Sequence, residues 1–258
     1  MQARSIAWLT PLLVLAACGG GSGGDDAPPD LHGLWYRVDP TDASKYADPQ
    51  LITQSGRELT LTSCNRSTTP LRLDGGNLVY TDGARFAVQP GANDAAMTGL
   101  GAQWRRFSQG SVFDSGRLSL SVPNQAAVQA SQDVCAQKVE QRYKLDNGAE
   151  IHAAGVMITA PFGASHVQVS LAFQTLRAGD FAVRDRNGFV QDLDGSVHVQ
   201  LQSPAYRTAD SQDTVQVSSG QLRVGITAGG AHTFDGQLIT ATGLQVPLSA
   251  EVTLERRP

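Results

Sequence analysis

The chain lacks the short motifs that mark the common hydrolases and nucleotide-binding enzymes. It contains no Ser-x-x-Lys box and no Gly-x-Ser-x-Gly elbow at a strand-to-helix turn. Its one glycine run, residues 19–24, carries no lysine and precedes no strand and helix, so it is not a phosphate-binding loop. No residue is predicted to be catalytic, and the chain is interpreted as non-enzymatic.

Metal-ligand spacing is missing as well. The five histidines stand singly, and no His-Glu-x-x-His run occurs. Acidic residues cluster between Asp185 and Asp194, but a calcium loop with Gly195 as its sixth position would need ligands at Val190 and Leu201. Neither side chain can bind a cation, so the cluster predicts two β-turns. No metal and no other cofactor is expected.

A surplus of basic charge is also absent, since 20 basic residues face 24 acidic ones and the formal net charge is −4. A nucleic-acid partner would require a basic surface, and none is predicted. Apolar runs are short throughout. The longest, Ile6 to Leu15, is well below the roughly 20 residues that span a bilayer.

That run belongs to an N-terminal export signal. Arg4 precedes the apolar residues and the small Ala16 and Ala17 follow them, which is the order of a secretory signal peptide. The sequence Leu15-Ala16-Ala17-Cys18 resembles the lipobox of bacterial lipoproteins. The resemblance implies removal of residues 1–17 and acylation of Cys18 on its thiol, as with palmitate, and on its amino group. The alternative is an ordinary secretory signal followed by a chance cysteine.

Two or three acyl chains anchor a protein durably, so the expected partner of Cys18 is a lipid bilayer. By resemblance to the sorting behaviour of enterobacterial lipoproteins, Gly19 in place of an aspartate favours the outer membrane and leaves open whether the body faces the periplasm or the surface. Residues 18–30 are rich in Gly, Ser, Asp and Pro and are predicted to be a tether. In an oxidising envelope Cys64 and Cys135 are predicted to form a disulfide bond, the alternative being two buried free thiols.

Alternating apolar residues behind glycine-containing turns predict the fold. On this alternation His166 and His198 face away from the buried valines beside them and are predicted to be solvated strand residues, not metal ligands. The chain is therefore predicted to be all-β, with antiparallel meander sheets. Turns are predicted at Ser55-Gly56, Gly75-Gly76, Ser115-Gly116, Asn147-Gly148, Asn187-Gly188, Asp194-Gly195, Ser219-Gly220 and Asp235-Gly236.

One short helix is allowed for, between Asn124 and Tyr143, because apolar residues there are spaced by seven and four and no Gly or Pro interrupts. Residues 31–147 and 148–258 are predicted to form two small barrel- or sandwich-like modules, a single large sandwich being the alternative. The first module holds both tryptophans of the body, Trp35 and Trp104, and an irregular loop is predicted over residues 89–101.

Gly33-Leu34-Trp35 resembles the Gly-x-Trp signature of lipocalins and their calycin relatives. The resemblance implies an eight-stranded barrel closed by Trp35, a basic side chain over the indole ring and a small apolar ligand in the lumen. Arg105, Arg106 and Arg142 are the candidate basic residues. The alternative is an ordinary buried tryptophan that anchors a β core.

Two functional hypotheses follow. The leading one is a membrane-tethered cell-envelope lipoprotein whose β-rich body has an interaction or structural role, with an envelope protein as partner. The alternative is a lipocalin-like carrier of a small apolar ligand, for which Trp35 is the candidate binding residue. An enclosed apolar pocket beneath Trp35 would favour the carrier. A filled core with an exposed apolar patch or a free strand edge would favour the interaction role.

Overall fold

The computed structural model describes residues 28–90, 96–123, 125–145, 147–203 and 214–256. Within these residues the protein consists of nineteen strands and one short helix, so the predicted all-β class is confirmed. The strands form two sheets, one of nine strands and one of ten. The signal peptide, Cys18 and most of the tether lie outside the described residues.

Nine strands form the first sheet. Their bounds are β1 (Gly33–Val38), β2 (Tyr46–Ser55), β3 (Glu58–Ser63), β4 (Thr68–Asp74), β5 (Asn77–Tyr80), β6 (Arg85–Ala87), β7 (Gln89–Pro90), β8 (Ala96–Gly99) and β9 (Ala102–Ser108). Their order is β6-β5-β4-β3-β2-β1-β9-β8-β7. The residues predicted to be an irregular loop thus contain β7 and β8, and that prediction is wrong for these strands.

The first sheet closes into a barrel because residues 85–90 form the strand at each of its two edges, β6 at one edge and β7 at the other. β6 pairs with β5, β7 pairs with β8, and only Val88 separates β6 from β7. β9 in turn pairs with β1, so the strands follow one another around a ring in chain order. With β6 and β7 taken as one interrupted strand, the ring is an eight-stranded meander, called the first barrel below.

Ten strands form the second sheet. Their bounds are β10 (Gly116–Leu120), β11 (Val128–Ala130), β12 (Cys135–Lys144), β13 (Glu150–Phe162), β14 (Ser165–Phe173), β15 (Gly179–Arg184), β16 (Ser196–Gln202), β17 (Thr214–Ile226), β18 (His232–Thr240) and β19 (Gln245–Val252). The order is β11-β10-β19-β18-β17-β15-β16-β14-β13-β12. Neighbours are antiparallel except β15 and β16.

The second sheet curls around one apolar core. Val128 and Ala130 at one end of the strand order belong to the same buried cluster as Ala136 at the other end. The backbone N–H of Ser115 donates to the carbonyl of Val134 at 2.8 Å, which links the two ends beside β10 and β12. The inward-facing rows of β13, β14, β16, β17, β18 and β19 supply most of the remaining core, as period-two alternation requires.

Two of the predicted glycine turns lie inside strands. Gly220 is in the middle of β17 and Gly236 in the middle of β18. A Cβ atom added to either would lie 2.2 or 2.4 Å from a carbonyl oxygen of the facing strand, belonging to Gln237 and Gln221 respectively. Here glycine permits close approach of two backbones and does not mark a turn.

The predicted helix between Asn124 and Tyr143 is wrong. Its described residues form β11 and β12, and β12 pairs with β13 over ten residues. Lys138, Glu140 and Arg142 point outward on alternate positions, a period of two that outweighs the apolar spacing.

The helix α1 instead spans Arg186–Gln191, where Asn187-Gly188 predicted a hairpin turn. Asp185 caps it by accepting a hydrogen bond from the Gly188 N–H at 2.7 Å. Phe189 is fully buried and lies on the face of α1 that packs against the second sheet.

The chain passes from the first barrel to the second sheet between Ser108 and Gly116. Gly148, beside the predicted module boundary, lies in the turn that joins β12 to β13. A disulfide bond between Cys64 and Cys135, the pair that the cysteine count predicts, connects the two sheets with a Cα–Cα distance of 5.3 Å. Both cysteines are fully buried.

Arg256, beyond the end of the second sheet, reinforces this junction. It exchanges two backbone hydrogen bonds with Tyr46 of β2, at 2.8 and 3.0 Å. Its guanidinium lies 4.9 Å from the ring centre of Tyr36 and 5.3 Å from that of Phe107. These contacts bury the end of the second sheet against the side of the first barrel.

Candidate functional site

The wall of the first barrel opens between β6 and the hairpin that joins β8 to β9. The described pairing of β7 with β8 ends at Gln89 and Thr98. A Cβ atom added to Gly99 would lie 3.1 Å from the Ala87 carbonyl oxygen, so the two sides still touch at that point. Beyond that point lies a groove between them, called the mouth groove below.

Phe86 is the inner-face residue that this opening uncovers. It is paired with Leu78 of β5, and cross-strand partners project to the same face of a sheet. Leu78 is fully buried in the barrel core, whereas Phe86 is 39% exposed. The Phe86 ring packs edge-on against Tyr80 at 5.2 Å. An aromatic side chain that belongs to the barrel interior is therefore in contact with solvent.

The mouth groove has a volume of about 750 Å³ and is lined mainly by apolar groups. The β1–β2 loop forms one wall, β6 the second and the β8–β9 hairpin the third. The lining residues are Arg37, Val38, Asp39, Pro40, Ala43, Arg85, Phe86, Ala87, Thr98, Gly99, Leu100, Gly101, Ala102 and Gln103.

The β8–β9 turn places an apolar side chain at the groove in an unusual backbone conformation. Leu100 and Gly101 both have positive φ, at 54° and 72°. Glycine adopts this region freely, but a leucine there is strained. The Leu100 side chain packs against the barrel core, and this contact offsets the strain. Trp104 lies in the same core, and its indole N–H donates to the Gly99 carbonyl at 3.0 Å.

The charged residues of the groove are all engaged. Arg85 pairs at 3.1 Å with Asp74 of β4, which is two strands away from β6 in the sheet, and Arg37 pairs with Asp48. The Asp39 carboxylate accepts hydrogen bonds from the hydroxyl and the backbone N–H of Thr41, at 2.6 and 2.7 Å. Those bonds lower the pKa of Asp39 below its ordinary value.

A β-bulge positions the partner of Arg37. The register of β1 against β2 shifts between Trp35 and Arg37, so that β2 has one residue more than β1 at this point. Asp48 lies in the bulge with φ of 52°, a left-handed conformation that aspartate tolerates better than most residues. The bulge redirects the Asp48 carboxylate to the guanidinium.

Trp35 lies in the N-terminal half of β1, whereas Arg37 and Val38 at the C-terminal end of the strand line the groove. Its indole N–H donates to the Leu31 carbonyl at 2.8 Å. Of the three basic candidates, Arg106 is the one that covers the ring, with its guanidinium carbon 5.4 Å from the ring centre. Arg106 also donates to the carbonyl of His32 at 3.0 Å and to Asp30, where the described chain begins its approach to β1. Arg105 instead lies over Tyr46.

Side chains fill the space above Trp35. The core cluster of the first barrel is composed of buried residues from every side of the ring, and Trp35 does not line the mouth groove. Its members are Leu31, Trp35, Ile52, Leu59, Leu71, Leu73, Leu78, Val88, Met97 and Trp104. Among the described residues, the groove thus lies at the mouth of the barrel, and Trp35 is packed within the core.

His198 differs from its prediction. It does face away from the valine core, but it is only 5% exposed because α1 covers that face of the second sheet. Its Nδ1 lies 2.9 Å from the hydroxyl of Tyr143, and that hydroxyl donates to Gln141. Burial lowers the pKa of His198 and raises the pKa of Tyr143 to about 12.

Sequence reasoning did not single out Phe86 or Leu100. Arg85-Phe86-Ala87 reads as part of a solvated strand, and Leu100 falls in the stretch predicted to be a loop. One sequence signal does indicate the β8–β9 turn. Leu100-Gly101 stands between two alternating stretches, where a hairpin turn would ordinarily carry Asn-Gly. Among the residues that the structure describes, no helix is long and apolar enough to cross a membrane.

Comparisons with known proteins give no relative. No family model, no curated protein and no solved structure matches this chain.

Proposed function

We propose that this chain is a membrane-tethered envelope lipoprotein whose first barrel binds a small apolar ligand in the mouth groove. The Leu15-Ala16-Ala17-Cys18 motif supports the tether, as do the Gly- and Ser-rich residues that follow it. The described chain enters the barrel at the Trp35 end, and the groove is at the other end of β1. A tethered barrel of this kind presents its groove away from its anchoring segment.

The observation that carries the binding proposal is the exposure of Phe86. A folded protein rarely leaves an inner-face aromatic ring in water, because burying such a side chain contributes roughly 1.5–3 kcal/mol. The groove beside Phe86 has a volume of about 750 Å³, within the range of roughly 300–1,000 Å³ that small-molecule sites occupy. A ligand in the groove would cover Phe86 and Leu100 together.

Native mass spectrometry of the protein purified from its own host tests this proposal. A reproducible added mass is expected on the wild-type chain and is expected to be lost on Phe86→Ala. Ile226→Ala is the matched control, because Ile226 is also an exposed apolar residue, at 55%, but lies at the end of β17 in the second sheet. An added mass that Phe86→Ala retains would place the ligand elsewhere.

Membrane fractionation tests the tether separately. Cys18→Ser removes the thiol that would carry lipid, so the variant is expected in the soluble fraction while the wild type sediments with membranes. Replacing Ser22 by Cys in the Cys18→Ser background controls for position, since a thiol four residues later does not follow the Leu-Ala-Ala motif. Sedimentation of Cys18→Ser with membranes would contradict the tether.

An interaction role is the second candidate. The observation that favours it is that the mouth groove borders an edge strand, so that the apolar side chain of a partner protein could enter beside Phe86. An added mass in the native spectrum supports the ligand. Its absence, together with a protein partner whose binding Phe86→Ala abolishes, supports the interaction role.

A further inference from the structure

Both arginines among the described residues that line the mouth groove are held in ion pairs. Arg37 is held by Asp48, and Arg85 by Asp74. Both arginine side chains are about half exposed, so each ion pair contributes little to stability. Each pair nevertheless neutralises the potential that a bound anion would meet.

The backbone conformation of β2 positions the ion-pair partner of Arg37. Asp48 reaches the guanidinium because β2 bulges by one residue and takes up a left-handed conformation there. Such a bulge is a specific feature that redirects a side chain. Because the bulge holds Asp48 beside it, the Arg37 guanidinium already has a carboxylate partner before any ligand binds.

The remaining polar groups suit a neutral ligand. Thr98 and Gln103 line the groove with uncharged side chains. The indole N–H of Trp104 is already used by the Gly99 carbonyl. An anion in the groove would lose hydration against an apolar lining and would displace a carboxylate for every arginine that it engaged.

We infer that the mouth groove selects an uncharged apolar ligand over an anionic one with the same carbon skeleton, and that Asp48 is a residue that sets this selectivity. The inference rests on the proposed function, since it concerns the same groove. It names a ligand class, neutral apolar molecules of small size, and distinguishes them from fatty acids and other amphipathic carboxylates.

Two fluorescent probes with one skeleton test the inference. N-phenyl-1-naphthylamine is neutral, and 8-anilino-1-naphthalenesulfonate adds a sulfonate to the same aromatic system. Wild-type protein is expected to bind the neutral probe at least about tenfold more tightly than the sulfonate. Asp48→Asn keeps a residue that tolerates positive φ and frees Arg37, so it is expected to reduce that preference severalfold by strengthening sulfonate binding.

Asp180→Asn is the matched control. Asp180 pairs with Arg223 at 2.8 Å on an exposed face of the second sheet, and its removal is expected to leave both probes unaffected. Phe86→Ala is expected to weaken both probes. If both depend on Phe86 but the sulfonate binds as tightly as the neutral probe, the charge inference is overturned while the groove stands. If neither probe depends on Phe86, the groove proposal and the inference both fail.

Discussion

Aromatic side chains on the inner face are buried in the second sheet, whereas one of them is partly exposed in the first barrel. In the second sheet Phe173, Phe181 and Phe234 all point into the core and are at most 1% exposed. In the first barrel Phe86 also occupies an inner-face position, yet more than a third of its surface is open. The second sheet has strands of up to thirteen residues, whereas β6 and β7 have three and two.

If the mouth groove binds a ligand as proposed, this difference separates the region that stabilises the fold from the region that binds. Long paired strands enclose a core completely, and short interrupted strands leave the wall of a small barrel open at one place. The disulfide bond and the Arg256 contacts join the open barrel to the closed sheet. We interpret the second sheet as a rigid support for the first barrel, in which one unpaired stretch of wall is tolerated and forms a groove.

The largest expected effect comes from truncating one phenylalanine in each region, Phe234 in the second sheet and Phe86 in the first barrel. Phe234→Ala leaves a cavity in the closed core and is expected to lower the free energy of unfolding by about 3–5 kcal/mol. Phe86→Ala removes a partly solvated ring and is expected to cost less than about 1 kcal/mol. Urea unfolding of both variants measures the contrast, and equal losses would show that Phe86 is an ordinary core residue.

Removal of the cross-link between the two regions should have the next largest effect. The Cys64→Ser, Cys135→Ser double variant opens a loop with a sequence separation of 71 residues. In the chain-entropy model this costs up to about 4 kcal/mol. Thermal unfolding of the double variant, with the reduced wild type as its control, should show that loss. An unchanged midpoint would mean that other junction contacts are sufficient.

Arg106 tests the closed end of the first barrel. Its side chain is 9% exposed, covers Trp35 and donates hydrogen bonds to the His32 carbonyl and to Asp30. Arg106→Met keeps the apolar stem but removes the cation and its bonds, and is expected to cost about 1–2 kcal/mol. Arg223→Met, at an exposed ion pair, should change stability little. Similar small effects at both sites would argue against a structural role for the Trp35 contact.

The smallest expected effect is a pH dependence of the second sheet. His198 is buried beside Tyr143, with Asp185 and Arg186 of the α1 segment nearby, and burial holds its pKa below the ordinary value of 6.5. The neutral form is therefore favoured in the folded state. Its contribution to stability is present above the unfolded pKa and is lost as the pH falls toward the folded pKa.

Unfolding midpoints measured between about pH 7.5 and pH 5 should show this loss in the wild type and less of it in His198→Gln. Part of the dependence should remain, because burial also lowers the pKa of His166 and His232. A steeper loss in the variant than in the wild type would contradict the assignment to His198.

Alternation and cysteine count predicted much of the architecture. Inward rows such as Val167, Val169 and Leu171 need only a period of two, and a pair of cysteines has one possible partner each. The predicted Trp35 contact with a basic side chain is found at Arg106, which the sequence grouped with two other candidates. Sequence spacing could not choose among them, because the choice depends on the register of β9 against β1.

The groove could not be predicted, because it arises where pairing stops. Local sequence indicates that Arg85 to Ala87 form a strand, but not that the β8–β9 hairpin diverges from it. The same limit explains Gly220 and Gly236, whose neighbours across the sheet decide between a turn and a close approach. Alternation correctly predicts that His198 faces away from the valine core. Its burial depends on α1, and Asn187-Gly188 predicted a turn at that position.

The most direct test of the central claim is an NMR titration of protein with ¹³C-labelled phenylalanine rings, using N-phenyl-1-naphthylamine as the ligand. Assignment by single Phe→Leu variants distinguishes Phe86 from Phe234. We predict that the Phe86 signal shifts progressively with added ligand while the Phe234 signal stays in place. A titration that shifts Phe234 and leaves Phe86 unchanged, or that shifts neither ring, would contradict a binding site at the open wall of the first barrel.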